Sequence, residues 1–237
     1  MGVTGGARRA GAAGADAPWQ LEAGTTWVAD PLFAEAAYLR LAGAWRRGRL
    51  AVAPSALVAI DGDAQRGEVE ARWRLRGAAP GAGVIASGTR LELRGDAFAI
   101  RRAGFAVVTG ELGLRGRLDL GRVAPALDGA FGEAGVGLGL EVTRYDAGDL
   151  DATELVTARF GLGLYLGCGQ GEALLWYEHR RDDLAGGLAA WRAAGFIGRA
   201  GLTGAWSLTP RWAIAAEVQA GSAWVTTLAV RRRGGAR

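Results

Sequence analysis

The nine residues EVEARWRLR (68–76) alternate strictly between charged and apolar side chains. Two glutamates and three arginines share one parity, and Val, Ala, Trp and Leu stand between them. Because successive side chains of a β-strand point to opposite faces, this segment predicts a strand with one ionic face and one apolar face. A helix does not fit, since its apolar positions would recur every three to four residues.

The same period of two recurs along most of the chain. It is clear in TRLELR (89–94), ELGLRGRLDL (111–120), FGEAGVGLGLEVTRY (131–145) and VTARFGLGLYLG (156–167), where leucines and valines oppose charged residues, threonines or glycines. Turn signals rich in Gly, Pro and Asp separate these segments at intervals that allow about twelve strands. The pattern therefore predicts a single all-β domain.

The composition supports β-structure and excludes several other classes. Glycine makes up 40 of the 237 residues, and each interior glycine costs a helix roughly 1 kcal/mol. The net charge is +4, but the arginines alternate along strands instead of forming one basic patch, so we expect no nucleic-acid partner. The single cysteine, Cys168, excludes an intrachain disulfide. We find no residue spacing typical of a metal or cofactor site and predict neither.

Strand length and face pattern favour a membrane protein over a soluble sandwich. Crossing a bilayer takes ~9–11 tilted residues per strand, which most segments provide, whereas strands of soluble sheets usually have about 5–6. Only a closed sheet satisfies its backbone groups in hydrocarbon. We therefore predict a closed antiparallel transmembrane β-barrel of about 12 strands (10–12), arranged as an up-and-down meander over residues 19–233.

The two termini are interpreted separately from the barrel. Residues 1–18 lack the apolar core of a signal peptide. We interpret them as a poorly ordered leader or a residual export segment, and a native start codon upstream, with a signal peptide, would account for this. Residues 234–237 are interpreted as a tail.

The face pattern also assigns side chains to the two surfaces of the barrel, because the polar face of such a strand lines the lumen and the apolar face meets lipid. The predicted lumen-lining residues are Glu70, Arg72, Arg74, Arg90, Glu92, Arg94, Glu111, Arg115, Arg117, Glu141, Arg159 and Arg199. Tryptophans near strand ends are typical of interfacial girdles. The predicted aromatic girdle consists of Trp27, Trp45, Trp73, Trp176, Trp206, Trp212 and Trp224.

The segment WSLTPRWAIAAEV (206–218) has an aromatic strand end, a Thr-Pro turn, a second aromatic residue and a new alternating strand. It resembles the periplasmic hairpins of Gram-negative outer-membrane β-barrels, and the resemblance in style extends over nearly the whole chain. It implies a location in the bacterial outer membrane. The implied partners are membrane lipids and lipopolysaccharide, the outer-membrane assembly machinery and a small solute. The C-terminal AVRRRGGAR (229–237) departs from the pattern, since such barrels commonly end on an aromatic residue.

The only histidine, His179, lies in LLWYEHRRDD (174–183). This segment resembles the His-x-Ser-Asn-Gly segment of outer-membrane phospholipase A and the His–Ser strand of lipid A deacylase barrels, in which serine is the nucleophile and histidine the general base. Aligned on His179, the nucleophile position holds Arg181, which cannot attack an ester. We therefore predict no catalytic residue and interpret Tyr177, His179 and Arg181 as a surface site near anionic headgroups.

Three functions remain open at this point. The first is a passive narrow pore, or a structural or lipid-contacting barrel, with a charge-lined lumen. The second is a lipid hydrolase-like barrel that has lost its nucleophile. The third is a soluble periplasmic barrel that binds an apolar ligand, which requires the leucines to face inward. The direction of the leucine face therefore separates the first function from the third.

Overall fold

The structure is a computed structural model, and it describes the following parts of the chain: residues 19–30, 34–62, 64–77, 89–167, 170–180, 198–221 and 224–234. The leader predicted at residues 1–18, most of the tail and Arg181 lie outside the described residues, so those assignments stay predictions.

The chain forms a closed antiparallel barrel of twelve strands. The strands are β1 (Trp19–Asp30), β2 (Ala34–Arg47), β3 (Leu50–Ala59), β4 (Ala64–Gly77), β5 (Arg90–Arg102), β6 (Phe105–Asp119), β7 (Ala130–Tyr145), β8 (Leu150–Leu166), β9 (Gly171–Arg180), β10 (Gly198–Ser207), β11 (Trp212–Ala220) and β12 (Trp224–Arg233). Each strand pairs with its sequence neighbours, and β1 pairs with β12. The predicted closed barrel with an up-and-down meander is confirmed.

The strands are connected at the two ends of the barrel. We call the end where β1 begins and β12 finishes the terminal end, and the opposite end the far end. At the terminal end, two 3₁₀ helices (Leu120–Arg122 and Pro125–Leu127) connect β6 to β7. At the far end, only Ala103 and Gly104 join β5 to β6, and Gly104 has a φ of 93°, a conformation that favours glycine. No helix among the described residues is long and apolar enough to cross a membrane.

Most leucines and valines of the strands point outward, whereas Leu155 and Leu174 are buried. Leu138, Leu162 and Leu175, on three successive strands, are 67 %, 67 % and 63 % exposed. Apolar patches on water-soluble proteins rarely exceed a few hundred Å², whereas here such residues cover strand after strand. The outer face is therefore suited to lipid. The interpretation as a soluble barrel with its leucines inside is wrong, because the pairing register places the leucines on the outside.

One part of the opening pattern is wrong. The pairing register between β4 and β5 shifts between Arg74 and Arg76, which is the mark of a β-bulge. As a result, Arg76 pairs with Leu91, an outer-face residue that is 41 % exposed. The ionic face of EVEARWRLR (68–76) therefore ends at Arg74, since the extra residue reverses the parity of the last arginine.

A small apolar cluster lies inside the barrel wall. It consists of Phe131, Leu174 and Trp176, which are at most 5 % exposed, with Tyr165 packed against them. The pairing register places a glycine on each side of Trp176: Gly161 on β8 and Gly201 on β10. The indole occupies the space that a side chain at Gly201 would take, whereas a side chain at Gly161 would meet Leu174 and the Cβ atom of Trp176.

The assignment of Trp176 to the aromatic girdle is therefore wrong. Its side chain is inside the barrel and only 3 % exposed. The other six predicted girdle tryptophans are 37–56 % exposed on the outer face. Trp27 and Trp224 lie near the far end, and the remaining four lie near the terminal end, each within four residues of the end of its strand. These six positions fit two interfacial belts, which stay a prediction.

Candidate functional site

The inner face carries ion pairs that connect neighbouring strands and reach across the interior. Glu133 on β7 is 3 % exposed at its side chain and accepts hydrogen bonds from Arg115 and Arg117 on β6, both at 3.0 Å. Arg117 also donates to Glu172 on β9 at 2.9 Å. Its guanidinium lies 4.0 Å from the ring centre of Phe131 and makes a cation–π contact with this ring. This network ties three strands, β6, β7 and β9, together from within.

A second ion-pair network is built on Glu178 of β9. It pairs with Arg159 on β8 at 3.5 Å and with Arg199 on β10, which donates two hydrogen bonds to Oε1. Arg159 is stacked on the indole of Trp176, with 4.0 Å between the guanidinium carbon and the ring centre. The inward position of Trp176 therefore supports a charged residue of the lumen. Its absence from the girdle has a structural reason.

Further inner-face charges are paired in the same manner. Glu70 pairs with Arg72 on its own strand and with Arg94 on β5, and Arg94 also pairs with Asp96 at 2.7 Å. Two hydroxyl groups satisfy acids nearer the far end: Thr157 donates to Glu111 at 2.7 Å, and Thr109 donates to Glu141 at 3.1 Å. Thr109 and Glu141 are on the neighbouring strands β6 and β7, whereas β7 lies between Thr157 on β8 and Glu111 on β6.

The junction between the first and last strands also carries an ion pair. Glu22 on β1 accepts hydrogen bonds from Arg40 on β2 at 2.8 Å and from Arg231 on β12. Its side chain is 9 % exposed. One buried carboxylate thus holds the strands on both sides of β1, including the strand that closes the barrel.

These side chains surround a cavity of about 390 Å³ inside the barrel. Most of its charged lining comes from the wall formed by β4–β9. The opposite wall, formed by β1–β3 and β10–β12, contributes mainly small side chains. The small lining residues are Ala42, Ala44, Ala53, Ser55, Thr203, Ala205, Ala215 and Ala229. All twelve strands contribute lining residues, so the cavity is bounded by a charged wall on one side and a wall of mostly small side chains on the other.

The structure brings together most, but not all, of the predicted lumen residues. Those that line the cavity are Glu70, Arg72, Arg90, Glu92, Arg115, Arg117 and Arg159. Arg94, Glu111, Glu141 and Arg199 lie on the same inner face within the pairs above. Arg74 lies at the terminal end and reaches the carbonyl of Gly48 at 3.5 Å.

Sequence reasoning missed several charged residues that line the cavity. These are Glu22, Arg40, Arg46, Glu68, Glu133, Glu172, Glu217 and Arg231. Glu22 and Glu217 have Ala, Gly or Gln at the neighbouring inner positions of their strands, so those two segments show no charged face. Others, such as Glu68 in EVEARWRLR (68–76), lie beside charges of the same parity but were left out of the predicted set. The available signal was parity: Glu217 alternates with Trp212, Ile214 and Val218, and this alternation assigns it to the inside.

The proposed surface site is only partly described. Tyr177 and His179 have the same parity as Leu175 and lie on the outer face of β9. The Tyr177 hydroxyl is 2.9 Å from Nδ1 of His179, and its ring packs 5.3 Å from the ring of Phe160. Arg181 lies outside the described residues, so the role of the three as a headgroup site stays a prediction. Among the described residues, no group of His, Cys, Asp and Glu is arranged to hold a metal ion.

Comparisons with known proteins agree with this architecture. No protein-family profile and no curated protein sequence matches the chain. The KdgM porin, solved in complex with disordered oligogalacturonate, superimposes with a TM-score of 0.54 at 11 % identity, over 89 % of this chain and 98 % of that one. The NanC porin superimposes with a TM-score of 0.53 at 9 % identity, over 90 % and 98 % of the two chains.

The chain has the fold of an outer-membrane porin. At this level of identity the likeness establishes the fold, and the outer face adds the environment. A closed barrel covered with exposed leucines is stable only in hydrocarbon, and barrels of this fold occupy the outer membranes of Gram-negative bacteria. The predicted location in the bacterial outer membrane agrees with both observations.

Proposed function

We propose that this outer-membrane barrel is a passive pore with a narrow, charge-lined lumen. The observation that carries the proposal is the cavity of about 390 Å³ beside the wall of small residues. In a barrel with a purely structural role, large side chains from all walls could fill the interior at the height of this cavity. Here alanines and serine leave one side of the lumen open.

The chemistry of the lining favours small hydrophilic or ionic solutes. The arginines and glutamates of the charged wall are already paired with each other. The wall therefore offers a passing solute many hydrogen bonds along its length but no single site of high affinity. Binding sites that are numerous and individually weak permit passage. The KdgM porin, solved in complex with disordered oligogalacturonate, supports solute binding by a barrel of this fold.

Other partners follow from the membrane location and belong to the same proposal. The outer face contacts lipid chains, and the exposed tryptophans near both ends lie where lipid headgroups and lipopolysaccharide would be. Insertion of a closed barrel would use the outer-membrane assembly machinery. The hydrolase-like alternative lacks its nucleophile, since the position two residues after His179 holds Arg181.

Conductance across a planar lipid bilayer tests the pore. We expect the purified protein to produce discrete current steps in concentrated potassium chloride. Ala53→Trp places an indole in the open side of the lumen and should remove more than about half of the single-channel conductance, because side chains readily obstruct a lumen this narrow.

Ala56→Trp is the matched control. Ala56 is on the same strand but on the exposed outer face, so its indole would enter lipid and leave the conductance unchanged. Absence of current from the parent protein at every voltage would exclude the pore. An equal effect of both substitutions would show that the wall of small residues is not part of the conducting path.

A further inference from the structure

Arg233, the last residue of β12, is a buried cation without a counter-ion among the described residues. The residue is 9 % exposed, and its Nε and one Nη nitrogen have no hydrogen-bond partner. Its position is fixed: its backbone N–H donates to the carbonyl of Arg211 at 2.9 Å, and its register partner is Gln20. Gln20 lines the lumen cavity, so Arg233 lies at the terminal mouth of the lumen.

The charges around this mouth are predominantly positive. Arg46, Arg90 and Arg117 are at or near the terminal ends of their strands and line the cavity. Arg90 and Arg117 are direct register partners, an arrangement that like charges disfavour. Arg46 is repelled by Arg90 and Arg233. The glutamates at this level pair with Arg90, Arg115 and Arg117, and among the described residues none pairs with Arg233.

This concentration of positive charge is unfavourable by itself, and a bound anion would stabilise it. Burial of an unpaired guanidinium is costly, and Arg231, two residues earlier on the same face of β12, adds a like charge that disfavours the charged form of Arg233. The planar guanidinium offers parallel N–H donors that match two oxygens of a carboxylate or a phosphate. An oxyanion at this point would compensate the charge and satisfy the open donors together.

We propose that the terminal mouth of the lumen contains a binding site for a small oxyanion such as phosphate, held by Arg233 with Arg46 beside it. The inference deepens the proposed pore and rests on it for its biological meaning, because it assigns a solute class to the lumen. Binding itself requires only an accessible mouth. The neighbouring Arg232 points outward, where its guanidinium lies 5.5 Å from the ring centre of Trp212, and it takes no part.

Calorimetric titration with inorganic phosphate tests the site. The folded barrel in a phosphate-free maltoside detergent is titrated at constant ionic strength, so that added phosphate is the only oxyanion. The parent protein should give a saturable isotherm. Arg233→Gln should weaken binding by about tenfold or more, since it removes charge-assisted hydrogen bonds. Arg232→Gln changes the net charge equally and should leave the affinity unchanged.

Thermal unfolding provides a second measurement that depends on folded protein. Phosphate should raise the unfolding temperature of the parent and of Arg232→Gln, because a ligand that binds only the native state stabilises it. It should not raise that of Arg233→Gln. The Arg233→Gln variant is expected to fold, since the substitution removes an uncompensated buried charge.

The outcomes separate this site from the pore. No saturable binding to the parent, or equal weakening by Arg232→Gln and Arg233→Gln, overturns the oxyanion site. Phosphate binding that depends on Arg233 in a barrel that carries no current supports the site and removes the pore. Current that Ala53→Trp blocks, without phosphate binding, supports the pore and removes the site.

Discussion

Glu133→Gln is expected to lower the free energy of unfolding of the barrel by about 3 kcal/mol, because removal of one partner from a buried ion pair leaves the other charges uncompensated. The carboxylate accepts from Arg115 and Arg117 at 3.0 Å, and its side chain is 3 % exposed. Glutamine keeps the shape but loses the charge. Arg117 would retain Glu172, whereas Arg115 would lose the carboxylate that it contacts.

Chemical unfolding in lipid vesicles, followed by tryptophan fluorescence, measures the loss. Glu154→Gln is the matched control, since Glu154 is an exposed residue of β8 on the outer face and should change the unfolding free energy by no more than about 0.5 kcal/mol. A loss below about 1 kcal/mol for Glu133→Gln would show that the network around Glu133 does not hold the wall together.

Gly163→Ala is expected to cost about 2 kcal/mol, in the range of other overpacking substitutions. A Cβ atom at Gly163 would lie 2.2 Å from the Cζ atom of Phe131 and 2.7 Å from the backbone oxygen of Ala173. Phe131 is fully buried, so it has little room to move away. Displacement of its ring would also remove the support beneath the guanidinium of Arg117.

Gly110→Ala is the control for this substitution. Gly110 is also in the middle of a strand, and a Cβ atom there would meet nothing within 4 Å. Its replacement should leave the unfolding free energy unchanged or raise it by about 0.5 kcal/mol, because alanine reduces the freedom of the unfolded chain. Equal losses for both variants in vesicle unfolding experiments would indicate a general strand effect and contradict a specific fit between Phe131 and Gly163.

The strands and their faces could be predicted because each rests on a local pattern. In ELGLRGRLDL (111–120), alternation alone separates leucines that face outward from arginines that face inward. The same reasoning failed for LLWYEH (174–179), since both parities contain large apolar residues. There the direction is decided by Gly161 and Gly201 on the neighbouring strands, and their proximity to Trp176 exists only once the pairing register is known.

The candidate site was harder to predict than the fold for a related reason. Glu178 and Arg199 are 21 residues apart in the chain, and Arg117 and Glu172 are 55 apart. No periodicity within one strand reveals such partners. The bulge that turns Arg76 outward is equally invisible in an alternating segment, because it depends on how β4 meets β5.

The seam between β1 and β12 joins residues as distant as Gln20 and Arg233. Without β12, the other eleven strands would form an open sheet. Its two edge strands would carry unpaired backbone N–H and C=O groups, which hydrocarbon cannot solvate. Ring closure is thus a single late event that satisfies both edges at once. A polypeptide that lacks β12 (Trp224–Arg233) would not be a slightly smaller cylinder but an open one, prone to aggregation or degradation.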